Sequence, residues 1–217
     1  MRFKTPDGTL DLPIDTLIVA GWTGRDRAAV DHHIAELAEI GVPPPSEVPL
    51  YYRVSTTLLT AAPAIQVLGP DTSGEVEPLI LRAGGQTWLG LASDHTDRAL
   101  ETVSVAASKQ VCAKPVSPAL WRFDDVADHL DQLELVCDIE EDGAWVRYQE
   151  GTLASIRPLT ELVAAAGLDE GCAMLCGTLA ARGGVRPARA YRMALRDPVR
   201  AAELTLAYSA APLPVVA

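Results

Sequence analysis

Three acidic residues, Glu75, Glu77 and Asp94, carry the spacing in this sequence that most directly implies chemistry. They lie in the stretch SGEVEPLILRAGGQTWLGLASDHTDR at positions 73–98. This stretch reads as a β-hairpin, with one strand over 75–81, a tight turn at Gly84-Gly85 and a return strand over 87–93. Side chains alternate faces along a strand, so Glu75 and Glu77 point the same way. With Gly84-Gly85 as the two loop residues, Ala83 faces Gln86, and counting back sets Asp94 opposite Glu75 and diagonal to Glu77. Three carboxylates so placed repel one another unless something cationic sits between them. An all-oxygen carboxylate site suits a hard ion such as Mg²⁺, Mn²⁺ or Ca²⁺. Spacing alone equally describes a solvated acidic hairpin face, and a slip of one residue in register would scatter the cluster.

The rest of the chain must supply the frame for this hairpin. It has 217 residues, 48% of them hydrophobic, enough for one domain with a proper core. We expect a single domain over 1–217, with N-terminal strands and a helix in 1–45 and a β-rich core in 46–217. Lys and Arg total 18 against 29 Asp and Glu, a net charge of −11 with no basic cluster. This argues against nucleic-acid or anionic-membrane binding as the main task. No apolar run approaches the length of a membrane span, and Asp11 and Asp15 interrupt the early apolar stretch that a signal peptide would need. Cys112, Cys137, Cys172 and Cys176 lack zinc-knuckle spacing and read as buried free thiols of a cytoplasmic protein.

In chain order, residues 1–20 suggest an opening strand pair followed by a better strand at 16–20. Positions 25–40 read as a helix, with Val30, Ile34 and Leu37 on one face, Gly41 as its C-terminal cap and Pro43-Pro44-Pro45 as its stop. His33 falls at the edge of the apolar stripe with Glu36 beside it, three residues on. Such a pair is either a solvated surface pair or an imidazole whose tautomer is fixed by a carboxylate. A short helical turn is expected at 124–126 and a hairpin over 133–148, turning at Glu141-Asp142-Gly143. A helix is expected at 159–166. A buried strand then ends at Gly177-Thr178 in a glycine-rich loop, and strands over 191–208 close the sheet. Nucleophile-elbow, P-loop and dinucleotide-binding signatures are absent from the sequence.

EVEPLIL followed by SDHTDR resembles the core of the fumarylacetoacetate hydrolase superfamily, in which a Glu-x-Glu strand precedes Asp-x-Ser/Thr-x-Arg. Asp94, Thr96 and Arg98 stand at the latter positions. The resemblance implies Glu75, Glu77 and Asp94 as ligands of a Mg²⁺- or Mn²⁺-type ion. It extends to a His-x-x-Glu dyad in a lid segment ahead of a Pro-rich passage, implying His33 as general base and Glu36 as its orienting carboxylate. Tyr52-Arg53 match an aromatic-basic pair, implying Arg53 as a clamp on a substrate carboxylate; a surface arginine is the alternative. Lys109, Pro115 and Ser117-Pro118 match a passage with a lysine ahead of an Asp and a Pro-x-Gly-Pro, with Cys112 where the Asp is expected, implying Lys109 as a catalytic ammonium that stabilises negative charge developing on the metal-bound substrate. Thr178, after Gly177, matches a strand end whose Thr bonds substrate, with Cys176 in place of a preceding Thr.

What the resemblance implies overall is an α+β, mostly β fold, a sandwich-like roll or barrel of mixed strands with a few short helices, assembled as a homodimer. The implied activity is metal-dependent hydrolysis of a C–C bond in a small 2-oxo or 1,3-dicarbonyl acid, acylpyruvate-like, through a metal-bound enolate. The same site would also suit decarboxylation of an oxaloacetate-type acid, isomerisation or hydration. A non-catalytic small-molecule-binding protein that kept the fold is a further alternative.

Overall fold

The computed structural model describes residues 1–39 and 43–216, apart from the side chains of His33 and Leu37. Its strands are β1 (Arg2–Thr5), β2 (Gly8–Asp11), β3 (Thr16–Gly21), β4 (Leu50–Val54), β5 (Ala64–Leu68), β6 (Val76–Ala83), β7 (Gln86–Ser93), β8 (Trp121–Arg122), β9 (Glu134–Glu141), β10 (Ala144–Thr152), β11 (Cys172–Leu175), β12 (Ala190–Asp197) and β13 (Ala202–Leu213), with shorter two-residue pairings between them. The α-helices are α1 (Arg27–Glu39), α2 (Arg98–Glu101), α3 (Val105–Gln110) and α4 (Leu159–Ala166). The fold is α+β and mostly β, as expected.

Two large sheets form the frame. One has six strands in the order β8-β7-β6-β11-β3-β4, and the other has five in the order β10-β9-β12-β13-β5. Burial explains the difference between them. Nearly every residue of β6 and β7 is buried, as befits central strands covered on both faces. In β13 buried and exposed residues alternate, because one face of that sheet meets water. Ile18, Ile80, Leu89 and Leu91 of the first sheet share a core with Leu135, Ile139, Leu195 and Leu206 of the second. The other face of the six-stranded sheet carries a second core of Val19, Leu79, Leu81, Ala92 and Leu175, closed by Phe3 and Leu12 from the N-terminal hairpin. Losing one of these fully buried leucines to alanine costs about 2–5 kcal/mol in comparable cores.

Local signals placed most elements well. The 133–148 hairpin turns at Asp142-Gly143, both at positive φ, and α4 spans the residues expected of it. Asp26 caps α1, its Oδ1 accepting from Ala28 N at 2.9 Å. Gly41, expected to end this helix, lies outside the described residues. No helix among the described residues is long and apolar enough to cross a membrane.

Candidate metal centre

The acidic hairpin sits where the six-stranded sheet splits. Strand β11 ends at Leu175, opposite Leu79. One step on, Cys176 N still donates to Pro78 O at 3.0 Å, but Pro78 has no N–H to return. The chain then leaves the sheet at Gly177, whose φ of +100° favours glycine. A Cβ there would fall 1.6 Å from Thr23 Oγ1, so the close approach also demands glycine. Past Pro78, side chains replace the missing strand. Gln149 Oε1 accepts from Val76 N at 2.9 Å, and the Thr178 hydroxyl donates to Val76 O at 2.7 Å. Glu75 and Glu77 flank Val76 on the opposite face, at the mouth of this split.

The register of the hairpin follows the Gly84-Gly85 turn. Ala83 pairs with Gln86 and Val76 with Ser93, and Asp94 N donates to Glu75 O at 3.0 Å. Glu75, Glu77 and Asp94 each turn an oxygen inward, and these oxygens lie within 4.8 Å of one another. Glu77 and Asp94 are buried, and Glu77 Oε2 accepts from Gly177 N at 2.7 Å.

Three cations surround the carboxylates. Lys109 Nζ donates to Asp94 Oδ2 at 2.5 Å. Lys114 Nζ lies 3.1 Å from Asp94 Oδ1, and Arg98 Nη2 lies 3.2 Å from Glu75 Oε1. Burial works against ionised Asp94, but Lys109 and Lys114 prevail and hold its carboxyl well below the usual range. Burial likewise opposes the Lys109 ammonium, and Asp94 and Glu75 overcome it, raising its pKa. For Lys114 burial wins and the pKa falls. Glu77 has no ion pair among the described residues; burial first, then the charge of Asp94, push its pKa well above the ordinary value, and the more distant charge of Lys109 does not offset them.

Two buried atoms of this centre lack a hydrogen bond among the described residues, Asp94 Oδ1 and Arg98 Nη2. Both have an oppositely charged neighbour within ion-pair distance, but the angles exclude hydrogen bonding. An unsaturated buried carboxylate oxygen beside a carboxylate that resists ionisation is the condition a bound cation relieves. The all-oxygen donor set fits a hard divalent ion.

Sequence reasoning placed Lys109 in this region and the structure brings it to Asp94. Gly177 and Thr178 also border the centre, although the Thr178 hydroxyl is engaged by Val76 O and by Gln149 Nε2 at 2.8 Å. Arg53 stands apart: it is exposed and on the face of β4 opposite Tyr52. Tyr52 is the residue turned toward the centre, its ring 5.8 Å from Lys109 Nζ and its hydroxyl accepting from Trp22 Nε1 at 3.3 Å. The His33 side chain lies outside the described residues. Exposed Glu36 has His32 Nε2 at 3.3 Å, one helical turn back.

Lys114, Gln149 and His95 were not foreseen. His95 is buried behind Asp94, its Nδ1 2.9 Å from Tyr208 Oη and its Nε2 2.9 Å from Thr72 Oγ1. Its one readable signal was strand alternation, which turns it away from Asp94 toward the second sheet.

Residues 20–208 match the profile of a family described as a protein of unknown function, DUF2848. The chain belongs to the DUF2848 family. No curated protein matches this DUF2848 chain. Among solved structures, Cg1458 with an inhibitor is similar with a TM-score of 0.69 at 15% identity, covering 95% of this chain and 81% of the other. A 2-keto-3-deoxy-D-arabinonate dehydratase complexed with magnesium and 2,5-dioxopentanoate is similar with a TM-score of 0.64 at 14% identity, covering 96% of this chain and 76% of that one. At such identity the likeness establishes a shared fold, the fumarylacetoacetate hydrolase-like fold, for this DUF2848 member.

Proposed function

We propose that this protein is a divalent-metal-dependent enzyme acting on a small 2-oxo or 1,3-dicarbonyl acid, and first of all a hydrolase that cleaves the C–C bond of an acylpyruvate-like acid. The observation that carries the reading is the convergence of Glu75, Glu77 and Asp94 around the unsaturated Oδ1 of Asp94. The magnesium complex of a dehydratase with the same fold supports it.

Glu75, Glu77 and Asp94 would hold the ion. A bound Mg²⁺ or Mn²⁺ would supply Lewis-acid polarisation of the substrate carbonyls. Lys109 keeps its charge in the buried site and offsets negative charge that develops on the substrate oxygens. In this reading His33, oriented by Glu36, takes a proton from a water whose oxygen attacks the acyl carbonyl carbon. The C–C bond then breaks, its electron pair passes to the 2-oxo oxygen through the adjacent carbon, and that carbon is reprotonated. Tyr52 and Trp22 form the aromatic wall beside Lys109. The family resemblance adds a homodimer as the assembly and Arg53 as a substrate-carboxylate clamp, a role for which Arg53 would have to act from the face of β4 opposite Tyr52.

A second reading is dehydration of a 2-keto-3-deoxy acid, favoured by the enzyme named in the similar structure. It needs a proton removed next to the 2-oxo carbon and hydroxide expelled, with no attacking water. The two are separated by assaying acylpyruvates, 2-keto-3-deoxy sugar acids and oxaloacetate with Mn²⁺ and after chelation. Acylpyruvate cleavage that chelation abolishes, and that His33→Ala loses while still binding Mn²⁺, supports the first reading. Turnover of the deoxy acids alone transfers the assignment to the second. No turnover of any of them, with metal bound, points to a binding protein.

A further inference from the structure

Lys114 has no role in the chemistry above, yet it is fully buried against the metal centre. It lies in the two-residue strand Lys114–Pro115, held parallel to Leu59–Thr60. Its ammonium donates to His95 O at 2.6 Å and stands 3.1 Å from Asp94 Oδ1 without hydrogen-bonding it. Asp94 Oδ2 already receives Lys109. One carboxylate therefore serves two ammonium groups. On the far side, Arg98 is shared between Glu75 at 3.2 Å and Glu101 at 2.8 Å. Four carboxylates thus face three cations, and Lys114 is the one whose hydrogen bond goes to backbone rather than to a carboxylate.

We propose that Lys114 is a specificity-determining residue that sets the charge of this centre: it weakens the hold on a bare divalent ion and strengthens the hold on an anionic ligand of the loaded site. The inference rests on the metal reading. A positive charge 3.1 Å from the ligand oxygen Asp94 Oδ1 repels a metal held there and attracts an anion bound to that metal, so its removal must move the two affinities in opposite directions. A site built this way holds a metal firmly only together with an acidic ligand, and selects carboxylate-bearing substrates over neutral carbonyl compounds.

Lys114→Gln keeps a donor for His95 O and removes the charge. Calorimetric titration with Mn²⁺, and then of the Mn²⁺-loaded protein with oxalate, reads both affinities. Mn²⁺ should bind at least about tenfold more tightly than to wild type, and oxalate at least about tenfold more weakly, the scale expected of one unit charge at this range. Lys114→Arg should resemble wild type. A general disruption would weaken both affinities together, and that result, or no change in either, overturns the proposal. Lys114→Met replaces the glutamine variant if the latter does not fold. If neither neutral variant folds while Lys114→Arg does, the ammonium is a structural group and the proposal fails. Wild type that binds no Mn²⁺ under any condition overturns the metal reading itself, a separate result.

Discussion

Lys114 Nζ stands 3.1 Å from Asp94 Oδ1 without donating a hydrogen bond to it. The buried carboxylate is thereby ion-paired to two ammonium groups while one of its oxygens lacks a hydrogen bond. Asp94 and Glu77 then differ in what their loss should do, although both are placed as ligands.

Asp94→Asn leaves two buried ammonium groups without their carboxylate. Breaking a buried ion pair on one side costs about 3–5 kcal/mol. The variant should show a sharply lowered urea midpoint as well as lost metal binding. A midpoint near wild type would mean that Lys109 and Lys114 do not depend on Asp94.

Glu77→Gln should behave otherwise. No cation forms an ion pair with Glu77 among the described residues, and its amide replacement still accepts from Gly177 N. Mn²⁺ affinity should drop by about a hundredfold or more, while the metal-free protein folds as well as wild type. Loss of folding would instead indicate a structural metal.

The raised pKa of Glu77 fixes the sign of a pH effect. Burial and Asp94 make the folded protein hold this proton more tightly than the unfolded chain does. That stability is fully present below the unfolded value and is lost as pH rises through the folded one. Metal must displace the proton, so affinity should weaken as pH falls, by up to about tenfold per unit below the folded pKa. Titrations in buffers of different ionisation enthalpy should reveal proton release; an affinity flat with pH would contradict the assignment.

His95 has the opposite sign. Burial, aided by Lys114 and Arg98, pushes its pKa down to about 3, so the folded protein holds it neutral. The unfolded chain binds this proton more readily, and stability should fall as pH drops from about 6.5 toward 3, by up to a few kcal/mol. His95→Gln should flatten that dependence in urea denaturation; an unchanged profile would assign the acid sensitivity to other groups.

Gly177→Ala would force a Cβ onto Thr23 at a φ that L-residues avoid, and would displace the N–H that Glu77 accepts. Both thermal stability and Mn²⁺ affinity should fall. Retention of both would show that the loop can relax without moving Glu77.

The carboxylate cluster was legible in the sequence because everything that aligns it is local. A two-residue turn at Gly84-Gly85 and a side-chain period of two carry the register from Ala83–Gln86 to Glu75–Asp94 with no help from the rest of the fold. The same holds for α4 and for the hairpin at Asp142-Gly143. The cations and supports of the site were set by tertiary structure. Lys114 reaches Asp94 only because the short strand after α3 is pinned beside Leu59–Thr60. Gln149 completes the ladder of Val76 across 73 residues of chain, where Pro78 and Gly177 end the pairing of β6 with β11. That Tyr52 rather than Arg53 turns toward Lys109 depends on which face of the six-stranded sheet holds the acids. Local periodicity brings like charges together; only long-range packing determines which opposite charges meet them.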